Sequence, residues 1–328
     1  MIKTVFCLPR SVRVKLNTRC QFKCKFCHQE GSMSAKDINK EEFIEALRVL
    51  RKDLMFYRIH FTGGEPTLYN EFESLLKKTK KLGFSNALTT NGQLDANNLI
   101  KLKKAGLDSI NFSLHALDPY AFLNIQNVSL GMKDGVNWAK NCIEKTIENV
   151  LSANKILDTK INCVVGYNTV GPREVLGFCI KNNIKLRFLN DLTAGETALN
   201  NIKEILYKEN AEIVGHEITF ISSSHRLDYK INNYNFGVKC IRQFFLKTLC
   251  DNCNFKKGGR CLEGFYGIRL EDNPLRVRLC LNRSGKPFVQ TLSSFLKSPQ
   301  LKEIKKETSD VIKYLRRDSL IEEQRKII

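Results

Sequence analysis

Three cysteines stand together as Cys20-Gln-Phe-Lys-Cys24-Lys-Phe-Cys27, a C-x3-C-x2-C run. A thiolate is a strong soft-metal ligand. Three on one loop can hold three irons of a [4Fe–4S] cube and leave the fourth iron open, as catalytic metal sites require. The same thiols with His28 as fourth ligand would instead close a zinc site. A second group reads Cys250-x2-Cys253-x7-Cys261-x18-Cys280. Its four thiols suffice to close either a [4Fe–4S] cluster or a zinc knuckle. Cys240 is a further candidate, although an isolated cysteine commonly serves as a small buried hydrophobe.

Between these groups lie short runs that could bind a ligand. Gly63-Gly64-Glu65-Pro66 follows an apolar segment, where glycines permit close backbone approach. Thr89-Thr90-Asn91-Gly92 follows the next such segment, and Ser113 ends the one after. Lys160 opens a fifth and Arg187 lies within a sixth.

These groups must be positioned by something, and the pattern names it. Short apolar strands at Val12–Leu16, Arg58–Thr62, Asn86–Thr89, Ser109–Leu114, Lys160–Val165 and Lys185–Leu189 alternate with amphipathic helices. The helices are expected at Lys40–Leu50, Glu71–Leu82, Ala96–Ala105, Val136–Ala153 and Pro172–Asn182, with Gly83, Gly106 and Asn183 as stops. Successive βα units imply a parallel sheet with right-handed crossovers. Six strands fall short of the eight of a closed barrel. The expected class is therefore α/β, a partial (β/α)6 TIM-type barrel, with a C-terminal domain for an auxiliary iron–sulfur cluster. We expect the barrel over 1–190, a connecting segment or extra strands over 191–239, and the auxiliary domain with C-terminal helices over 240–328. About ten residues precede the first expected strand.

Composition narrows the class. The chain has 328 residues, 42% of them apolar, enough for a substantial core. There is no apolar run long enough for a transmembrane helix, and no signal-peptide pattern. Twelve cysteines without a secretory signal point to metal or catalytic use in a reducing cytoplasm rather than to disulfides. The formal charge of +19 suits an anionic partner. Lysine, isoleucine and asparagine are abundant throughout, so nucleic-acid binding is not expected from charge alone.

The C-x3-C-x2-C run with Phe26 before its last cysteine resembles the radical S-adenosylmethionine (SAM) superfamily. More closely, RVKLNTRCQFKCKFCHQEG, FTGGEPTLYNEF, ALTTNG, AGLDSINFSLHALDPYAF, KINCVV and LRF resemble the GTP 3′,8-cyclase family of molybdenum-cofactor biosynthesis, over residues 10–190 in unbroken order. The resemblance implies that Cys20, Cys24 and Cys27 hold a [4Fe–4S] cluster whose open iron binds SAM. It also implies that one electron cleaves SAM to methionine and a 5′-deoxyadenosyl radical. By the same resemblance, Phe26, Gly63, Gly64, Glu65, Pro66, Asn91, Ser113 and Leu192 fall at SAM-binding positions. Arg13, His60, Thr89, Lys160 and Arg269 fall at substrate positions. The family's auxiliary group has three cysteines, spaced C-x2-C-x13-C, and an open iron; the four here, Cys250, Cys253, Cys261 and Cys280, could close a second [4Fe–4S] cluster completely.

The chain also departs from that family. His60 replaces an arginine and Leu192 a methionine. The C-N-R-x-R run after the second cysteine of the auxiliary group is missing. Arg269 keeps one arginine there, while Tyr266 and Gly267 take other polar positions. The chain ends Arg-Lys-Ile-Ile where the cyclases carry a Gly-Gly tail. These departures argue against GTP. The expectation is a cytoplasmic radical SAM enzyme that abstracts hydrogen from a small anionic substrate, in the class of nucleotide or sugar derivatives. It would be fed by a one-electron reductant such as flavodoxin or ferredoxin. GTP 3′,8-cyclase, a peptide maturase, and a non-catalytic zinc or nucleic-acid module are the alternatives. No individual catalytic side chain is assigned.

Overall fold

A computed structural model describes residues 2–28, 36–126 and 134–317. The Arg-Lys-Ile-Ile terminus, and the helix expected beyond 317, lie outside the described residues. The chain order is β1 (Lys3–Cys7), β2 (Ser11–Lys15), α1 (Lys40–Leu54), β3 (Arg58–Thr62), α2 (Phe72–Lys81), β4 (Ser85–Thr90), α3 (Ala96–Ala105) and β5 (Leu107–Ser113). Then come α4 (Pro119–Ile125), α5 (Gly135–Asn154), β6 (Asp158–Val165), α6 (Val170–Asn182), β7 (Lys185–Asn190) and α7 (Gly195–Lys208). The remainder is β8 (Glu212–Thr219), β9 (Ser224–Ile231), β10 (Tyr234–Ile241), α8 (Lys247–Cys250), α9 (Asn254–Lys257), β11 (Arg269–Glu271), β12 (Arg276–Arg278), β13 (Val289–Thr291), α10 (Leu292–Leu296) and α11 (Pro299–Arg317).

The helices begin and end where side-chain chemistry permits. Asn39 caps α1 by accepting from the Glu42 N–H, with Glu41 and Glu42 in the first turn and Arg51 and Lys52 in the last. That arrangement satisfies an orphan donor and complements the helix dipole. Gly106 and Asn183 are left-handed just past α3 and α6, as expected of stops.

All thirteen strands form one curled sheet, in the order β1-β8-β9-β10-β7-β6-β5-β4-β3-β2-β11-β12-β13. The six expected parallel strands occupy its middle, from β7 to β2. Their outward faces carry Val12, Val14, Ile59, Phe61, Leu88, Ile110, Phe112, Ile161 and Phe188, all fully buried beneath the helices. Burying each such side chain contributes roughly 1.5–3 kcal/mol before the entropy of ordering is subtracted. The short N-terminal segment is itself a strand: β1 pairs in parallel with β8 from Lys3↔Gly215 to Cys7↔Thr219. Residues 191–239 hold α7 and three strands, with β10 running parallel to β7. In the 240–328 stretch, β11 pairs in parallel with β2 and extends the sheet at the opposite side.

The gap between the two sides of the curl is bridged by the backbone of residues 264–268. The Ser223 N–H donates to the Phe265 carbonyl at 2.7 Å, and the Phe265 N–H donates to the Phe244 carbonyl at 2.8 Å. The Arg13 N–H donates to the Ile268 carbonyl at 3.1 Å on the other side. Gly264 is left-handed (φ +68°) and approaches Phe244 so closely that a Cβ would lie 2.5 Å from the Phe244 carbonyl oxygen. No other residue fits there.

Candidate active site

The first cysteine group lies on the loop after β2, at the end of the parallel strands where barrel sites are built. Cys20 and Cys27 are exposed and Cys24 is half-buried. An aromatic cluster anchors the loop. Phe22 meets Phe122 at 5.4 Å and Trp138 at 6.0 Å, edge to face, against α4 and α5. Gln126, at the end of α4, accepts from the Lys23 N–H at 3.2 Å and from the Cys24 thiol at 3.4 Å. Cys20 accepts from the Phe22 N–H at 3.4 Å and from Asn91 Nδ2 at 3.8 Å. Burial pushes the Cys24 thiol up to about 11, with Cys27 and Cys20 adding to the rise. The three sulfurs are thus near enough to repel one another when ionised, and proton release would accompany metal capture.

The Gly63–Pro66 turn is stitched to this loop. The Gly64 N–H donates to the Asn17 carbonyl at 2.9 Å and the Glu65 N–H to the Arg19 carbonyl at 2.6 Å. A Cβ on Gly64 would lie 2.3 Å from the Arg19 carbonyl oxygen, and one on Gly63 2.8 Å from that of Asn17. Close approach between two protein segments therefore requires both glycines, a role the sequence reading had reserved for approach to a ligand. Pro66 opens a buried 3-10 turn. Glu65 is buried, and its carboxylate accepts from the Thr67 hydroxyl (2.7 Å), the Thr67 N–H (3.2 Å), the Thr90 hydroxyl (2.8 Å) and the Asn91 N–H (2.7 Å). Its side chain thus binds the end of β3 to the end of β4. Asn91 completes the link by donating to Gln21 Oε1 at 2.9 Å. Phe26 packs edge-on against His115 at 4.8 Å. Burial pulls that imidazole down to about 4, and its Nδ1 accepts from the Val164 N–H at 3.0 Å. Ser113 is the half-buried last residue of β5, and Leu192 is half-buried two residues past β7.

The inward faces of the parallel strands carry polar and charged residues in place of the branched apolar residues that fill an ordinary barrel. His60 Nε2 and Thr89 Oγ1 share a hydrogen bond at 2.7 Å, with Asn111 Nδ2 3.3 Å from the imidazole. Two expected substrate residues are thus brought together. Lys160 is half-buried on β6. Burial first, then the guanidiniums of Arg187, Arg58 and Arg226, push its ammonium down to about 7. The buried Arg187 Nε has no hydrogen-bond partner. Arg13 lies beside His60 in register, and Arg269 beside Arg13. Arg269, however, is held in a buried ion pair with Glu263 at 3.0 Å.

The second cysteine group is more deeply set. Cys250 and Cys253 are buried, while Cys261 and Cys280 are half-buried. Burial pushes Cys250 up to about 12, and Cys280, Cys261 and Cys253 add to it, so the four thiols share one neighbourhood. Beside them Arg278 grips Glu271 through Nε, at 3.0 and 2.9 Å, in a second buried ion pair. Cys240, on β10, acts on the Tyr229 phenol, and its thiol donates to the Val238 carbonyl at 3.9 Å. Among the described residues no group of three or more His, Cys, Asp or Glu side chains is placed to hold a single metal ion.

Sequence reasoning passed over Asn17, Gln126, His115, Lys239 and Arg226, and it noted Arg187 and Tyr266 without assigning them a role. The alternation Arg58-x-His60 and Lys185-x-Arg187 was a usable signal, because charge at every second strand position marks a polar interior. A cavity beside α11 is lined by Ser11, Phe56, Ser222, Ser224, Tyr266 and Ile304 among others and has no charged lining residue.

The radical SAM superfamily model matches residues 14–176, from β2 into α6, a span that contains the first cysteine group and the glycine turn. The chain belongs to the radical SAM superfamily. Curated relatives agree: this radical SAM enzyme is 28% identical over 304 residues to a probable GTP 3′,8-cyclase of Sulfolobus acidocaldarius, covering 90% of this chain and 88% of that one. A probable GTP 3′,8-cyclase of Thermoplasma volcanium is 35% identical over 158 residues, 47% of this chain and 45% of that one. Streptococcus suis SuiB bound to S-adenosylmethionine shares the fold, with a TM-score of 0.58 at 17% identity, over 91% of this chain and 68% of SuiB. The structure of anSMEcpe with bound AdoMet does so with a TM-score of 0.51 at 17% identity, over 92% of this chain and 82% of that one. Among the described residues no helix is long and apolar enough to cross a membrane.

Proposed function

We propose that this radical SAM enzyme abstracts hydrogen from a small anionic substrate held inside the barrel. The observation that carries this reading is the juxtaposition of Lys160 with Arg187, whose buried Nε has no hydrogen-bond partner, while Arg58 is exposed and Arg226 is already paired with Asp228 and Glu217. Two such cations side by side are costly without an anion to offset them. Cys20, Cys24 and Cys27 would hold the [4Fe–4S] cluster, and Cys250, Cys253, Cys261 and Cys280 a second, fully ligated one. When bound, the first cluster and SAM supply a 5′-deoxyadenosyl radical, given one electron from a carrier such as flavodoxin or ferredoxin.

The chain's own residues position these parts. The turn from Gly63 to Pro66 and the Asn91 side chain hold the cysteine loop in place, and Phe26, Ser113 and Leu192 flank the volume where SAM would lie. Arg13, Lys160 and Arg187 orient the substrate's anionic group, and a charge-assisted contact there contributes on the order of 1.5–3 kcal/mol. A second reading, GTP 3′,8-cyclase, is favoured by the names of the curated relatives. Against it stand His60, already bonded to Thr89, and Arg269, already bonded to Glu263. Anaerobic incubation of reduced enzyme with SAM and GTP, followed by mass spectrometry, decides between them. 5′-Deoxyadenosine without the 3′,8-cyclised nucleotide supports our reading, and efficient cyclisation would overturn it.

A further inference from the structure

The segment that closes the curl carries one side chain the reading above leaves unused. Tyr266 lies between Gly264 and Ile268, and its carbonyl accepts from the Ser222 hydroxyl at 2.7 Å, which fixes the backbone. Its ring is covered by the Lys239 ammonium of β10, 4.3 Å from the centroid, and faced by the Arg269 guanidinium of β11 at 5.6 Å. Arg13 of β2 and Arg187 of β7 act on its phenol, and Ser224 of β9 hydrogen-bonds to it. Of the carboxylates around these cations, Glu263 is paired with Arg269, and Glu217 acts on Arg187 and pairs with Arg226.

The phenol thus feels Arg13 and Arg187, two of the cations assigned to the substrate, while its ring lies against two others, Lys239 and Arg269. We propose that Tyr266 is a substrate-binding residue of the chamber, its hydroxyl donating to the anionic oxygen of a phosphate ester or carboxylate held by Arg13, Arg187 and Lys239. This rests on the anionic-substrate reading and adds a neutral donor to it. A neutral donor can satisfy an anionic oxygen without adding to the repulsion among the cations. In the empty chamber the same cations stabilise the phenolate. Lys239 first, then Arg13 and Arg187 with the Ser224 bond, pull the phenol down to about 8 against burial. An incoming anion therefore competes with the phenolate and returns the proton to the oxygen that must donate.

The test uses the reconstituted full-length holoenzyme with tripolyphosphate as the probe. Ultraviolet difference titration of wild type against Tyr266→Phe should isolate one phenol ionising near pH 8. Saturating probe should move that ionisation upward by about one pH unit or more. Tyr266→Phe should bind the probe roughly tenfold more weakly, with SAM affinity unchanged. If probe binding depends on Lys160 (weakened in Lys160→Met) yet the phenol titration does not move, Tyr266 is outside the site and only this proposal falls. If the probe does not bind, or binds regardless of Lys160, the anionic-substrate reading falls and takes this proposal with it. The probe-induced shift is read on the wild-type protein, so a poorly folded Phe variant leaves the proposal exposed to refutation.

Discussion

The first cysteine group stands on a loop, two of its three thiols exposed, and is held by backbone hydrogen bonds that the Asn17 and Arg19 carbonyls accept from Gly64 and Glu65 and by the Phe22 cluster. The second is set among short strands and helices, two of its four thiols buried, beside the Glu263–Arg269 and Glu271–Arg278 ion pairs. Under the reading proposed above, the first would offer too few ligands to saturate a cube and stay open to small molecules, while the second would have a full complement beside its charge pairs. Exposure and ligand count together separate a site built for exchange from one built for permanence.

The largest expected effect breaks the comparison outright. Cys24→Ala should abolish 5′-deoxyadenosine formation from reduced enzyme and SAM, because alanine cannot ligate iron. Cys261→Ala should still permit it. Iron content should fall from about eight per chain to about four when Cys20, Cys24 and Cys27 are all replaced. Stoichiometric zinc at the second group would remove the contrast in chemistry that we draw.

The ion pairs give the next effect. Glu271→Ala strands Arg278, which is 4% exposed, and should cost about 3–5 kcal/mol of stability by denaturant unfolding. Replacing Glu271 and Arg278 together with Leu and Met should cost much less. Equal losses in both would mean the pair has no role beyond packing.

Gly64→Ala probes the first group in turn. Its new Cβ would press on the Arg19 carbonyl oxygen at 2.3 Å, and relief requires the cysteine loop to move. We expect a cost of about 1–3 kcal/mol together with poorer iron incorporation at the first group alone. Stability loss with normal iron loading would separate the turn from the cysteine loop.

The smallest effect is a pH dependence. The Lys160 ammonium is depressed to about 7 in the empty fold, and an anion would raise it again. The complex then binds more protons than the free protein, so affinity falls as pH rises above about 7. Tripolyphosphate should bind about tenfold more weakly at pH 8.5 than at pH 6.5, as read by calorimetry, and Lys160→Met should flatten that slope. The same depression works against folding. Its penalty is full below pH 7 and fades as pH rises toward the ordinary lysine value, so stability should rise over that interval.

The parallel strands and both cysteine groups were legible in the sequence because period-two burial and ligand spacing are local signals. Ser85–Thr90 and Leu107–Ser113 differ from expectation by one or two residues at their ends. The extra strands allowed for over 191–239 are present as β8, β9 and β10, without bounds having been legible, and β1 was not legible at all. Lys3–Cys7 is largely exposed and lacks apolar alternation, and it is a strand because β8 offers it a parallel edge. The role of Glu65 was likewise hidden, since its four donors come from Thr67, Thr90 and Asn91 on two separate turns. Tyr266 depends on contacts from four strands distant in sequence, which no short motif can encode.

The seam closed by residues 264–268 is fastened by peptide N–H and carbonyl groups, with Gly264 and Gly267, both at positive φ, as its demanding positions. Hydrogen bonds between neighbouring backbones do not depend on which side chains are present. Tyr266 can therefore be exchanged over generations while the wall it belongs to stays shut. A lineage can retune what its barrel recognises one substitution at a time, without passing through forms whose scaffold has come apart.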